Sequence, residues 1–190
     1  DFGNIFQTWG YNDIEGLRLR AGARTYFGKN DMWRIQAYTA YGFRDEKWKF
    51  GGEAKYMFNK TNRFQIGGGY RQDVLQLGVQ LTTDEGIMTR SFASSSVLNS
   101  GETTSMSSVK QYNFFTSIEP WKNFQIKLDA TTQNIRSADS NLFNIDYYRQ
   151  GVLRNDLNDT KLTTTLIFRP GIKFSTYGVD RYEMTALATN

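Results

Sequence analysis

A two-residue alternation of apolar and charged side chains governs the first third of this chain. Leu17, Leu19, Ala21, Ala23, Thr25 and Phe27 share one parity, and Arg18, Arg20, Gly22, Arg24 and Tyr26 share the other. A β-strand sends successive side chains to opposite faces, so it gathers these arginines on one side; a helix would scatter them around its circumference. The period continues over 34–44, where Ile35, Ala37, Thr39, Tyr41 and Phe43 oppose Arg34, Gln36, Tyr38, Gly42 and Arg44. Over 47–58, Trp48, Phe50, Gly52, Ala54, Tyr56 and Phe58 oppose Lys47, Lys49, Gly51, Glu53, Lys55 and Met57.

The first strand is expected over 17–27, and after the two just given further strands are expected over 63–72, 109–118, 124–135, 161–169 and 174–184. The reversals at 28–33, 45–46, 59–62, 119–123 and 170–173 are short. The segments 73–108 and 136–159 are long, polar and rich in Ser, Thr, Asn and Asp, and read as loops, with a short helix near 87–98. Both long loops fall among the even-numbered reversals, and every odd-numbered one is short. Outer-membrane barrels sort their connections in this way, with short periplasmic turns and long external loops.

The charged face cannot be the core of a soluble barrel, because unpaired buried charge is prohibitively costly. Either it lines a polar lumen while the apolar face meets lipid, or it faces water while the apolar face packs inward. The aromatic residues favour the first. Phe27, Trp33, Phe58, Phe64, Phe124 and Phe168 share the apolar parity beside the short turns. Phe43, Trp48 and Tyr70 share it at the opposite strand ends, with smaller residues such as Ala37, Ala54 and Leu128 between. Two aromatic belts around an apolar band mark the lipid face of a membrane barrel. The expected fold is therefore all-β: an antiparallel transmembrane β-barrel, here a partial barrel of about eight strands from a larger one. No run approaches the roughly 18 apolar residues of a spanning helix. The start at Asp1-Phe2-Gly3 reads as a mature or internal one, and the end at Asn190 lacks a terminal aromatic, as in a piece of a longer chain.

Several motifs carry a resemblance by their order. They are Asn12-Asp13-Ile14-Glu15-Gly16-Leu17-Arg18-Leu19 with Gly22-Ala23-Arg24-Thr25, then Tyr41-Gly42-Phe43-Arg44-Asp45 with Lys47-Trp48-Lys49. Arg71-Gln72-Asp73 with Gln76-Leu77-Gly78 and Phe168-Arg169-Pro170-Gly171-Ile172-Lys173-Phe174 follow. The chain resembles a Bacteroidetes outer-membrane β-barrel family of unknown function, usually found behind a carboxypeptidase-regulatory-like domain. The resemblance implies a bacterial outer-membrane location and a longer full chain. It brings no catalytic residues.

The absence of Cys and His removes thiol nucleophiles, Cys/His zinc sites and Ser-His-Asp arrangements, so no enzyme and no cofactor is expected. The net charge is +4, but the basic residues alternate along strands rather than forming a nucleic-acid patch. Arg18, Arg20, Arg24, Arg34, Lys49, Glu53, Lys55 and Arg71 are the expected lumen-lining residues. Glu53 lies between Lys49 and Lys55 on its face and is expected to pair with them. Gly67-Gly68-Gly69 lacks the features of a P-loop and is expected to mark a bend or a close strand approach. Asp139, Asp146, Asp156 and Asp159 fit no known calcium-loop spacing. Tyr147-Tyr148-Arg149 is either a recognition patch or a loop packed into the barrel mouth. The expected role is a structural or assembly subunit of an outer-membrane complex. The alternatives are a pore with a basic lumen and a soluble secreted β-barrel or sandwich that binds glycans. Expected partners are membrane lipid, lipopolysaccharide and other outer-membrane proteins, with no nucleic acid.

Overall fold

A computed structural model describes residues 9–12, 14–25, 28, 30–76, 106–141 and 144–184. Within these residues the protein is all-β and antiparallel, with no helix. In chain order the strands are β1 (Trp9–Asn12), β2 (Gly16–Arg24), β3 (Trp33–Gly42), β4 (Lys47–Asn59), β5 (Phe64–Gln76), β6 (Met106–Trp121) and β7 (Phe124–Ser137). There follow β8 (Tyr147–Arg149), β9 (Val152–Arg154), β10 (Asp156–Phe168), β11 (Phe174–Tyr177) and β12 (Asp180–Glu183). Eight of them form one meandering sheet in the order β1-β2-β3-β4-β5-β6-β7-β10. Among the described residues no pairing joins β1 to β10, so the sheet is open at both edges.

Several expected boundaries move. The wall gains β1, and β5 and β6 extend a few residues into the two ends of the segment expected as the first long loop, to Gln76 and from Met106. Residues 77–105, with the helix expected near 87–98, lie outside the described residues, as does Phe27. Pro120 is not in a turn. It sits near the end of β6, where the register with β7 shifts between Ile118 and Trp121, and an irregularity of this kind tolerates a residue without an N–H donor. The second long loop contains the β8–β9 hairpin, turned by Gln150 and Gly151 with φ of 52° and 76°, the pattern of a type I′ turn. The strand expected over 174–184 is not wall at all. It is the separate β11–β12 hairpin, closed by Gly178 and Val179.

The alternation in the sequence becomes an alternation of burial, but inverted relative to a soluble sheet. Leu17, Leu19, Ile35, Phe50, Phe114 and Leu128 are exposed, and Leu162 is 70% exposed. Arg18, Lys49, Glu53 and Asp73 are buried, and Arg34 and Arg71 are only 1% exposed. The buried face is the concave one. Arg18 on β2 reaches Asp73 on β5 at 2.8 Å, although three strand spacings of a flat sheet are about 14 Å. Only a tightly curled sheet brings them together.

Glycines make room on the inner face. Gly22 of β2 and Gly51 of β4 flank Tyr38 of β3 across their ladders, so its ring has no neighbouring side chain to displace there. The close approach expected at Gly67-Gly68-Gly69 is present. A Cβ on Gly67 would lie 2.4 Å from the Phe115 ring and 2.9 Å from the Ala54 carbonyl oxygen.

Candidate functional site on the concave face

The concave face carries two ion clusters, one at each end of the strands. The first gathers at the end where β2, β3 and β4 meet the turns at 14–15 and 43–46. Asn12 folds its side chain back, its Oδ1 accepting from the Ile14 and Glu15 backbone N–H groups and its Nδ2 donating to Glu15 at 2.7 Å. This turn delivers the Glu15 carboxylate, fully buried, to Arg18 at 3.1 Å and Lys49 at 2.8 Å. Lys49 also reaches Asp45 at 2.6 Å. Asp73 binds Arg18, accepts the Tyr38 hydroxyl at 2.7 Å and lies 3.7 Å from Arg71. Arg71 in turn donates Nε–H to the Tyr38 oxygen at 2.9 Å, and the Arg20 guanidinium stacks 3.9 Å over the Tyr38 ring. In this cluster four cations and three carboxylates nearly cancel.

The second cluster centres on Asp180, which the β11–β12 hairpin carries into the concavity. Its carboxylate lies 2.9 Å from Arg24, 2.7 Å from Arg34 and 2.8 Å from Lys55, one cation from each of β2, β3 and β4. The hairpin tip is positioned by backbone. Gly178 adopts φ of 59°, and a Cβ there would lie 2.6 Å from the Asp31 carbonyl oxygen, so only glycine meets both demands. Arg63 and Gln65 donate to the Val179 carbonyl at 2.9 and 3.2 Å. Arg181 pairs with Glu119 and stacks on Phe174, and Arg169 pairs with Glu183. A polar cavity of about 480 Å³ lies between the hairpin and the wall, lined by Glu53, Lys55, Arg63, Lys127 and Arg181 among others.

All eight residues expected on the charged face lie there, and Arg18, Arg24, Arg34, Lys49, Lys55 and Arg71 each lie within 4 Å of a carboxylate. Lys49 pairs with Glu15 and Asp45, and Lys55 with Asp180, while Glu53 accepts from Gln36 at 3.4 Å. Glu15 and Asp180 escaped sequence reading because they sit in or beside turns, outside the alternation. Asp73 has the parity of Arg71 and would have been found by extending that strand. Of the other acids, Asp156 and Asp159 lie on β10 and accept from the amides of Asn134 and Gln133. Tyr148 is exposed on β8, and Tyr147 donates its hydroxyl to the Asp156 carbonyl.

On the convex face Trp33, Phe43, Trp48, Phe58 and Phe168 are exposed, and Phe64, Tyr70 and Phe124 partly so. Ring contacts link them sideways. Tyr41 meets Phe43 and Trp48, and Phe50 meets Tyr70, which meets Tyr112. At the other end Tyr56, Phe58 and Phe64 run together, and Trp121, Phe124 and Phe168 run together. Between these two rows no described residue of convex parity is charged.

Burial works to raise the Asp180 carboxyl, but Lys55, then Arg34 and Arg24, outweigh it and hold it below the ordinary carboxylate range. A depressed carboxyl stabilises the docked hairpin fully above its free value of about 3.9 and loses that stabilisation as pH falls through the docked value. The chain has no Cys, so a polarity-sensitive dye on Ser175→Cys labels the hairpin alone. It should report an unchanged docked state from about pH 5 to 8 and release beginning below about pH 4. Asp180→Asn should remove this pH step.

No family model matches this chain, and neither does any curated protein or solved structure compared with it.

Proposed function

We propose that this chain is the lipid-facing wall of a transmembrane β-barrel in a bacterial outer membrane, serving a structural or assembly role in an outer-membrane complex. The observation that carries the reading is the inverted sheet: an exposed convex face, apolar and uncharged between two aromatic rows, and a charged face turned inward and ion-paired. In water such a face would be an apolar patch far larger than monomeric proteins tolerate. In lipid it is the expected surface. Its height also fits. Trp48 to Phe58 on β4 spans about 33 Å of strand, or about 23 Å of membrane at a tilt of roughly 45°, against an apolar band of about 25 Å. The open edges fit a wall that continues in further strands, since a bilayer leaves no backbone group unpaired. The resemblance of the motif order to the Bacteroidetes outer-membrane family supports the same location, with lipid and lipopolysaccharide as the surroundings.

The ion pairing favours a structural wall over a basic conduit. Arg18, Lys49 and Arg71 are engaged by Glu15, Asp45 and Asp73, and Arg24, Arg34 and Lys55 by Asp180. A pore that attracts anions needs cations with unspent field.

Tryptophan depth tests the reading. Trp33, Trp48 and Trp121 are exposed on the convex face. Single-tryptophan variants that keep one of these three, reconstituted in vesicles of brominated phosphatidylcholine, should lose more than half of their fluorescence relative to unbrominated vesicles. Undiminished emission from all three, with the protein monodisperse without detergent, would leave the soluble glycan-binding reading in its place.

A further inference from the structure

We infer that Arg24, Arg34 and Lys55 form a carboxylate-binding site held shut from within, with Asp180 as its resident carboxylate and the β11–β12 hairpin as a displaceable plug. The inference goes beyond the membrane role and rests on the concave-face geometry alone.

The triad has the form of a receptor. Three cations from three neighbouring strands converge on one carboxylate, Lys55 on Oδ1 and both arginines on Oδ2, all within 2.9 Å. Arg34 is almost wholly buried and Lys55 keeps 23% of its side-chain surface. Without Asp180 these cations would lose their shared counter-charge in a partly desolvated site, which favours any carboxylate that can take its place.

The plug is held in a way that an anion can undo. Among the described residues the hairpin makes no ladder with the wall, and its own two strands share only four residue pairs. A two-stranded hairpin of this size is marginal alone. Val179 is its one buried apolar side chain among those described, and the described polar contacts that hold it are Asp180 on the triad, the Val179 carbonyl on Arg63 and Gln65, and Arg181 on Glu119. A competing carboxylate replaces the central contact one for one, so the exchange leaves no cation unpaired. The polar cavity of about 480 Å³ beside Lys55 gives such a ligand its approach, and its size is that of a small-molecule site. The chemical class is a small organic anion with one or more carboxylates.

The test uses the full-length protein in detergent, with nitroxides on Ser175→Cys in the hairpin and Lys60→Cys in the β4–β5 turn. Wild type and Asp180→Glu should give one narrow distance. Asp180→Asn should broaden or lengthen it. At constant ionic strength, citrate should bind Asp180→Asn at least tenfold more tightly than wild type, and adding Arg34→Gln should erase that gain. An Asp180→Asn protein that keeps the narrow distance would overturn the plug. A released hairpin with unchanged citrate affinity would overturn the carboxylate site. Failure of the membrane reading would appear in lipid quenching and leave these distances as they are.

Discussion

Arginine in place of Ala54 should cost about 2–4 kcal/mol of folding stability in a lipid bilayer, the depth-dependent penalty of a cation at the midplane of a barrel's outer face. Ala54 is exposed on the convex face of β4, between Trp48 at one end and Phe58 at the other. Its ladder neighbours are Ile35 and Gly68, so nothing on the same face offers a counter-charge. Ala54→Leu at the same place should be close to neutral, since it adds apolar surface toward lipid. The contrast decides between solvents. At a water-exposed position of a soluble sheet, Ala54→Arg would change stability by no more than about 0.5 kcal/mol. Urea titration of the protein folded into vesicles, read by the shift of a folded barrel on unheated gels, measures both variants. An arginine variant as stable as wild type would remove lipid from that face.

The wall was legible where one face alone is covered. Over β2 to β4 the charged parity points inward and the apolar parity outward without exception, so period two survives in the sequence. It fails at Val74 and Leu75, because there the end of β5 is covered on both sides: Val74 packs with Ile14 and Met106 in a small apolar cluster, and Leu75 is buried as well. With both parities buried, no alternation remains to mark the strand, and β5 and β6 run a few residues past their expected bounds at that end. The hairpin is hidden in the sequence for a different reason. Phe174 to Glu183 has the composition of a strand, and only the two-residue turn at Gly178 and Val179 folds it back on itself. The cationic half of each ion cluster could be read from parity alone. The anionic half could not, since Glu15 and Asp180 arrive from turns whose direction depends on the Asn12 fold and on the approach of Gly178 to Asp31.

Asp73→Ala should destabilise the protein by about 3–5 kcal/mol, the cost of leaving buried charge without its partner. Among the described residues Asp73 lies 3.7 Å from Arg71 and is one of two carboxylates that hold Arg18, and all three residues are buried. It is also the contact that ties β2 to β5 across the curl, through Arg18 directly and through the Tyr38 hydroxyl from β3. Its loss therefore removes a counter-charge from Arg18 and Arg71 and loosens the curvature together. Replacing Arg18 by Met alone should cost less, because Glu15 keeps Lys49 and Asp73 keeps Arg71 and Tyr38. The double variant Asp73→Ala, Arg18→Met should then be less destabilised than the two single losses added together, by about 1–3 kcal/mol of coupling. Strict additivity in that cycle, measured by urea unfolding in vesicles, would mean the ion pair is incidental to the fold. A coupling of this size would assign the inner charges their role: they set how tightly the sheet curls.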